Sequence, residues 1–195
     1  MARTTLPALL LALLLALLLP LPGGAAAPAL AAPTEAELVR AREDWARLAQ
    51  GHWVADGRAD APRFVYAFAD PNCGYCNRFW LAARPYVESG QVQVRHLMVG
   101  IIDDDSPGKA AAILGAASPA EALARNERHY REGGIRPLAP VPPALRAKLD
   151  ANEKLLRALG FHGTPGLVYL DAAGRLKRFP GLPDAGDLKE ILGAP

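Results

Sequence analysis

The chain has 195 residues, 51% of them hydrophobic, and sets 22 basic against 20 acidic side chains for a formal charge of +2. So slight a surplus gives no electrostatic case for a nucleic acid or a charged membrane surface as partner. The two cysteines and four histidines (His52, His96, His129, His162) show no ligand spacing, and a zinc centre wants four ligands, so neither a metal nor another cofactor is expected.

In chain order, residues 1–31 read as a cleavable secretory signal peptide: Arg3 as the positive start, an Ala/Leu run over 8–19, then small residues with two Ala-x-Ala sites ending at Ala29 and Ala31. Twelve residues at ~1.5 Å rise span about 18 Å, short of a ~30 Å hydrocarbon core, so a membrane span is disfavoured. No cysteine directly follows the apolar run, which leaves a lipid anchor unsupported. Removing this segment leaves 164 residues, enough for one domain, with a formal charge of +1 because Arg3 is its one charged side chain.

Thr34-Glu35-Ala36-Glu37 is a capping box, predicting a helix to about Gln50 with Leu38, Trp45 and Leu48 as its apolar stripe. Gly51 and Asp56-Gly57 mark a turn. A strand is predicted over 63–69, a short loop at Asp70-Pro71-Asn72, and a helix from the cysteines to near Arg84, kinked or ended by Pro85. A second strand covers 91–99. Ser106-Pro107 and Ser118-Pro119 each place Ser at an N-cap and Pro at N1, the latter with a second capping box to Glu121. Gly133-Gly134 ends that helix, a loop with four prolines spans 135–143, and a helix over 143–159 closes on Gly160. The end reads as a strand over 166–171, a turn at Ala172-Ala173-Gly174, a hairpin partner over 175–179 and a helix over 184–192. A β-α-β start, a helical middle and a terminal β-hairpin plus helix give an α/β, thioredoxin-like fold with a mixed central sheet and a helical insertion at about 104–160. The domain plan is then signal peptide 1–31, N-terminal helix and linker 32–62, and catalytic domain 63–195.

The chemistry concentrates in Cys73-Gly74-Tyr75-Cys76, the chain's two cysteines at a strand-to-helix junction. A helix N-terminus carries partial positive charge and unpaired N–H groups, which favour thiolate over thiol. A secreted chain meets an oxidising compartment, where two cysteines pair or exchange disulfides. A CxxC closes so small a loop that it removes little unfolded-state entropy. That makes a poor staple and points to chemistry, with a secreted binding module carrying a structural disulfide as the alternative. Thr164-Pro165, directly before the 166–171 strand, is a candidate cis bond packed by the cysteines, or an ordinary turn proline. Asp103-Asp104-Asp105 reads as a solvated loop. His162 reads as a loop histidine facing water or as a neighbour tuning the thiolate, and Trp80 as packing.

Residues Phe68-Ala69-Asp70-Pro71-Asn72-Cys73, Tyr75-Cys76, Phe79-Trp80, Ala83-Arg84-Pro85, Ser89-Gly90, Ser106-Pro107, Ala111-Ala112-Ile113-Leu114, Asn152-Glu153-Lys154-Leu155, Thr164-Pro165 and Gly181-Leu182-Pro183-Asp184 resemble the DsbC/DsbG family of periplasmic thiol–disulfide interchange proteins, on the DsbG side. The resemblance covers roughly 63–193. It implies that Cys73 is the exposed nucleophile and Cys76 the partly buried resolving cysteine. Gly74, Tyr75, Thr164 and Pro165 would then line the substrate site. It also implies periplasmic protein substrates with disulfides or oxidised cysteines, and a membrane electron donor of the DsbD type. Two departures stand out. The family usually has Pro where this chain has Gly74, and about 30 residues before the first strand leave no room for the family's dimerisation domain, so a monomer is expected. Tyr75 brings no cation to the site, which favours a reductase-like role over that of a DsbA-like disulfide donor.

Overall fold

The computed structural model describes residues 32–193; the signal peptide expected over 1–31 lies outside them. Helix α1 (Glu35–Ala49) starts on the expected capping box: Thr34 Oγ1 accepts from Glu37 N–H, and the Glu37 carboxylate accepts from Thr34 N–H at 2.7 Å. Five strands follow in the spatial order β1-β3-β2-β4-β5. They are β1 (Trp53–Asp56), β2 (Arg63–Ala69), β3 (Val92–Met98), β4 (Gly166–Leu170) and β5 (Leu176–Pro180). Strands β2 and β3 run parallel, joined by α2 (Gly74–Glu88), and every other pair is antiparallel, so the sheet is mixed as expected. Helices α3 (Ser106–Leu114), α4 (Pro119–Arg128) and α5 (Pro143–Ala158) lie between β3 and β4, and α6 (Ala185–Leu192), capped by Asp184, closes the fold.

Strand alternation sorts the core. Val65 and Ala67 of β2 face one way and pack with Phe79, Ala83 and Val87 of α2 and Ile191 of α6. Tyr66 and Phe68 face the other way and pack with Leu48 of α1 and Leu155 and Leu156 of α5. A third cluster at the end of the sheet joins Ala69 and Met98 to Ala110, Ile113, Leu123 and Leu149, and it contains Cys73 and Cys76. The helical segment between β3 and β4 thus packs against the cysteines.

Several local expectations are corrected. Strand β1 was read as a turn because its four residues are too few to show a period. It lies inside the segment expected to be a linker, and its pairing with β3, Trp53 opposite Leu97 to Asp56 opposite Val94, makes it a strand. Of the two outcomes expected at Pro85, an end near Arg84 is not found: helix α2 runs on to Glu88. Proline inside a helix costs ~3 kcal/mol, but the last turn buries Tyr86 and Val87, and each large apolar side chain returns roughly 1.5–3 kcal/mol. Ser106 is not an N-cap. Asp105 holds that position, and Ser106 is fully buried in the first turn of α3 because its hydroxyl donates to Asp70 at 2.8 Å. Ser118 does cap α4 with Pro119 behind it, but without the side-chain bond of a capping box.

Candidate redox site

Cys73 is itself the N-cap of α2. Its backbone is extended, and its sulfur accepts from Cys76 N–H at 3.1 Å, as a serine or aspartate oxygen would at this position. The first turn of α2 has no acidic side chain to compete for the positive end of the helix. Hydrogen bonding by the Cys76 thiol, set against burial and helped by Thr164 and the N–H groups of Cys76 and Tyr75, lowers the Cys73 pKa to about 7. Burial drives Cys76 the opposite way, well above an ordinary thiol, and the neighbouring Cys73 sulfur adds to the rise. Cys73 is therefore the sulfur that ionises first, and Cys76 is the one held as a thiol. Both cysteines are unpaired.

Thr164-Pro165 is a cis peptide. Its loop meets the pair directly: the Cys73 thiol donates to the Thr164 carbonyl at 3.4 Å. The Thr164 hydroxyl is buried with no hydrogen-bond partner among the described residues. Turned toward the sulfurs, it would favour the charged form of both. The Pro165 carbonyl accepts from Gly181 N–H at 2.8 Å, which ties this loop to the end of β5.

The structure brings Cys73, Gly74, Cys76, Thr164 and Pro165 together, and it leaves Tyr75 59% exposed beside them with the Arg78 guanidinium over its ring. The exposed nucleophile expected at Cys73 is not found: Cys73 is only 4% exposed, as is Cys76, because α3, α4 and the Thr164 loop pack around both. His162 is exposed, on a groove of about 590 Å³ lined also by Gly100, Ile101, Leu156 and Phe161. Trp80 is buried, with the Arg84 guanidinium stacked on its ring. Asp103 and Asp104 are exposed, while Asp105 accepts from Asn72 and pairs with Lys109.

Three supports of the site take their role from the fold alone. Asp70 is 1% exposed, and its carboxylate accepts from the backbone N–H groups of Asn72, Ile101 and Ile102 and from Ser106 Oγ. It locks the loop before Cys73 to the loop after β3. Asn77, one residue past Cys76, donates to the carbonyl and the carboxylate of buried Glu127 on α4 at 2.7 and 2.8 Å; burial holds that carboxyl above its usual range. Tyr130, in a 3-10 turn (Tyr130–Glu132) after α4, donates its hydroxyl to the Asn72 carbonyl at 3.0 Å. Aspartate in a loop and tyrosine after a helix are common, and only the fold shows what they meet.

A sulfur capping the helix that joins two parallel strands, with a cis-proline loop entering the next strand beside it, is the defining arrangement of the thioredoxin-like class. The sequence agrees: the thioredoxin-like domain profile matches residues 55–194, and the chain belongs to that family. Within it the sequence is DsbG-like. The thiol:disulfide interchange protein DsbG of Pseudomonas aeruginosa is 48% identical over 153 residues, 78% of this chain and 60% of that protein. DsbG of Escherichia coli strain K12 is 43% identical over 152 residues, 78% of this chain and 61% of that protein. The chain thus spans about three-fifths of the length of the curated relatives it matches. Among solved structures, the catalytic domain of Proteus mirabilis ScsC aligns with a TM-score of 0.65 at 21% identity, over 80% of this chain and 96% of that one, a likeness of fold.

Proposed function

We propose that the protein is a periplasmic thiol–disulfide oxidoreductase that reduces disulfides or oxidised cysteines in exported proteins, with Cys73 as nucleophile, Cys76 as resolving thiol, and Gly74, Tyr75, Thr164 and Pro165 as the substrate-facing surface. The observation that carries this is the asymmetry of the pair: Cys73 caps α2, its sulfur accepting Cys76 N–H at 3.1 Å beside the Thr164 carbonyl, which favours its thiolate, while burial holds Cys76 as a thiol. A structural disulfide needs no such division.

The Cys73 thiolate attacks one sulfur of a substrate disulfide R–S–S–R′, forming a Cys73–S–S–R bond and expelling R′–S⁻. Cys76 then loses its proton and attacks the Cys73 sulfur. The Cys73–Cys76 disulfide forms, and R–S⁻ leaves to take up a proton. The dithiol loses two electrons and the substrate disulfide gains them. With a sulfenic acid, the thiolate and one proton give the mixed disulfide and water, and the same resolving step follows. The Thr164 carbonyl, released from the Cys73 thiol on ionisation, becomes an acceptor for a substrate backbone N–H. A membrane donor of the DsbD type returns the two electrons.

A Cys73 pKa of about 7 supports the reducing direction, because the strongly oxidising DsbA has its nucleophile near ~3.5 while thioredoxin, a reductant, has it near ~7. The deciding experiment equilibrates the couple with glutathione and traps mixed disulfides with Cys76→Ala. A potential well below that of DsbA, about −120 mV, with substrates trapped on Cys73, supports the assignment. A potential at the DsbA value reverses the direction, and no trapped substrate removes the function. The reading includes a monomer, and light scattering that returns a stable dimer overturns that part.

A further inference from the structure

We propose that Tyr130 is a specificity-determining residue of this site, a phenol that closes over the shoulders of Cys73 and selects for oxidised cysteines on extended or locally unfolded chain over those set in a folded surface. The proposal rests on the thiol–disulfide function above and names the feature that decides which sulfurs reach the nucleophile.

The Tyr130 hydroxyl touches the chain on both sides of Cys73. It donates to the carbonyl of Asn72, the residue before, and it lies 3.2 Å from where a Cβ on Gly74, the residue after, would stand. The ring carbon bearing the hydroxyl is 3.9 Å from the same point. Glycine at position 74 therefore leaves the space the phenol fills. The thiolate charge of Cys73 reaches the Tyr130 hydroxyl and, after burial, is the main influence opposing its ionisation, so the phenol stays a neutral donor beside the sulfur. With Thr164 on the sulfur and Tyr130 against the residues on either side of it, an incoming disulfide approaches beside the phenol, which a chain segment standing clear of its neighbours can do.

The turn that carries Tyr130 is anchored at both ends, with the Tyr130 bond to the Asn72 carbonyl as the tie between them. On one side Asn126 Nδ2 donates to the Pro71 carbonyl, and Asn77 holds the Glu127 carbonyl. On the other, Asn126 Oδ1 accepts from Ile135 N–H. Between them Gly133 and Gly134 have positive φ values of 97° and 68°, so the turn is built from residues that adopt this conformation without strain. The arrangement holds the phenol in a defined place while the surrounding helices stay fixed to the redox loop.

The test uses the reduced protein with Cys76→Ala throughout, and compares Cys73 alkylation by iodoacetamide with that by a maleimide carrying a polyethylene-glycol tail. Tyr130→Ala is expected to raise the rate with the bulky reagent roughly tenfold while the iodoacetamide rate stays within about threefold, because access changes and thiolate reactivity does not. Tyr130→Phe, which keeps the ring and loses only its bond to Asn72, gives a change in the same direction of about twofold. Gly74→Ala pushes the phenol aside and raises the bulky-reagent rate, and in Gly74→Ala/Tyr130→Ala that added gain disappears, since both act through one contact. An unchanged ratio of the two rates in Tyr130→Ala, or equal shifts with both reagents, overturns the proposal. If the parent protein, with both cysteines, exchanges with glutathione and only the ratio fails to move, Tyr130 alone is refuted. If the parent does not exchange, the oxidoreductase function falls and the Tyr130 role with it.

Discussion

Cys73 and Cys76 are three residues apart, share one turn of helix, and still differ as chemical groups because they meet different neighbours. The sulfur of Cys73 receives an N–H at the mouth of α2, while that of Cys76 sits deeper among apolar side chains. Alkylation of the reduced protein is expected to titrate with a midpoint of about 7, on Cys73 alone, with Cys76 unreacted across that range; equal modification of both thiols by mass spectrometry would contradict the division of labour. The Thr164 hydroxyl is buried with no hydrogen-bond partner among the described residues, so it is available to the thiolate. Thr164→Val should move the alkylation midpoint upward, and an unmoved midpoint would show that the hydroxyl contributes nothing. The cysteines were legible in the sequence as a contiguous CxxC, while Thr164-Pro165 by itself left an ordinary turn proline open and took its place at the site from the family resemblance. Tyr130 and Glu127 were not legible, because their partners Asn72 and Asn77 lie 58 and 50 residues away, and no periodicity or spacing rule links residues across such a gap.

At the scale of elements, the helices and longer strands followed their caps and alternation, and the misreadings have physical reasons. Four residues of β1 cannot display a period of two convincingly between turn signals. Ser106-Pro107 has the look of a cap, but the buried carboxylate of Asp70 outbids the helix end for the hydroxyl. Pro85 signals a kink or an end of α2, and burial of Tyr86 and Val87 outweighs the end. Pro85→Ala should therefore stabilise the protein by roughly 2–2.5 kcal/mol, the helical penalty of proline less the unfolded-state entropy it removes, measured by urea unfolding; a loss of stability would mean the ring itself is needed in the packing. Asp70 works between elements, gathering three N–H groups and a hydroxyl. Asp70→Ala strands those buried donors at ~1–3 kcal/mol each, so a loss of about 3 kcal/mol or more is expected, together with a slower Cys73 reaction as the redox loop comes loose. Full stability in the variant would refute that role.

For the whole molecule, the acid limit is set away from the sulfurs. Burial raises the Asp56 pKa, but His96 and Arg84 together outweigh it and bring the group from 3.8 to about 2. A carboxylate with a depressed folded pKa stabilises the protein above its unfolded value and loses that contribution as pH falls through the folded one. About 2 kcal/mol should thus vanish between pH 3.8 and about 2. Asp56→Asn should flatten that limb of the stability curve, and an unchanged limb would place the acid sensitivity elsewhere. The same sign rule applied to Cys73, depressed from 9.0 to about 7, has the dithiol protein gain stability as pH rises from 7 to 9, a gain that the oxidised protein lacks. Because both sulfurs belong to the core cluster that α3 and α4 close, redox state and fold are joined in one thermodynamic cycle. Whichever form unfolds with more difficulty is the form the folded chain prefers relative to its own unfolded CxxC, with ~1.4 kcal/mol of difference in unfolding free energy equal to ~30 mV of potential. Two melting curves, one per oxidation state, would therefore read out how far folding has biased this couple toward giving or taking electrons, with no substrate in the cuvette.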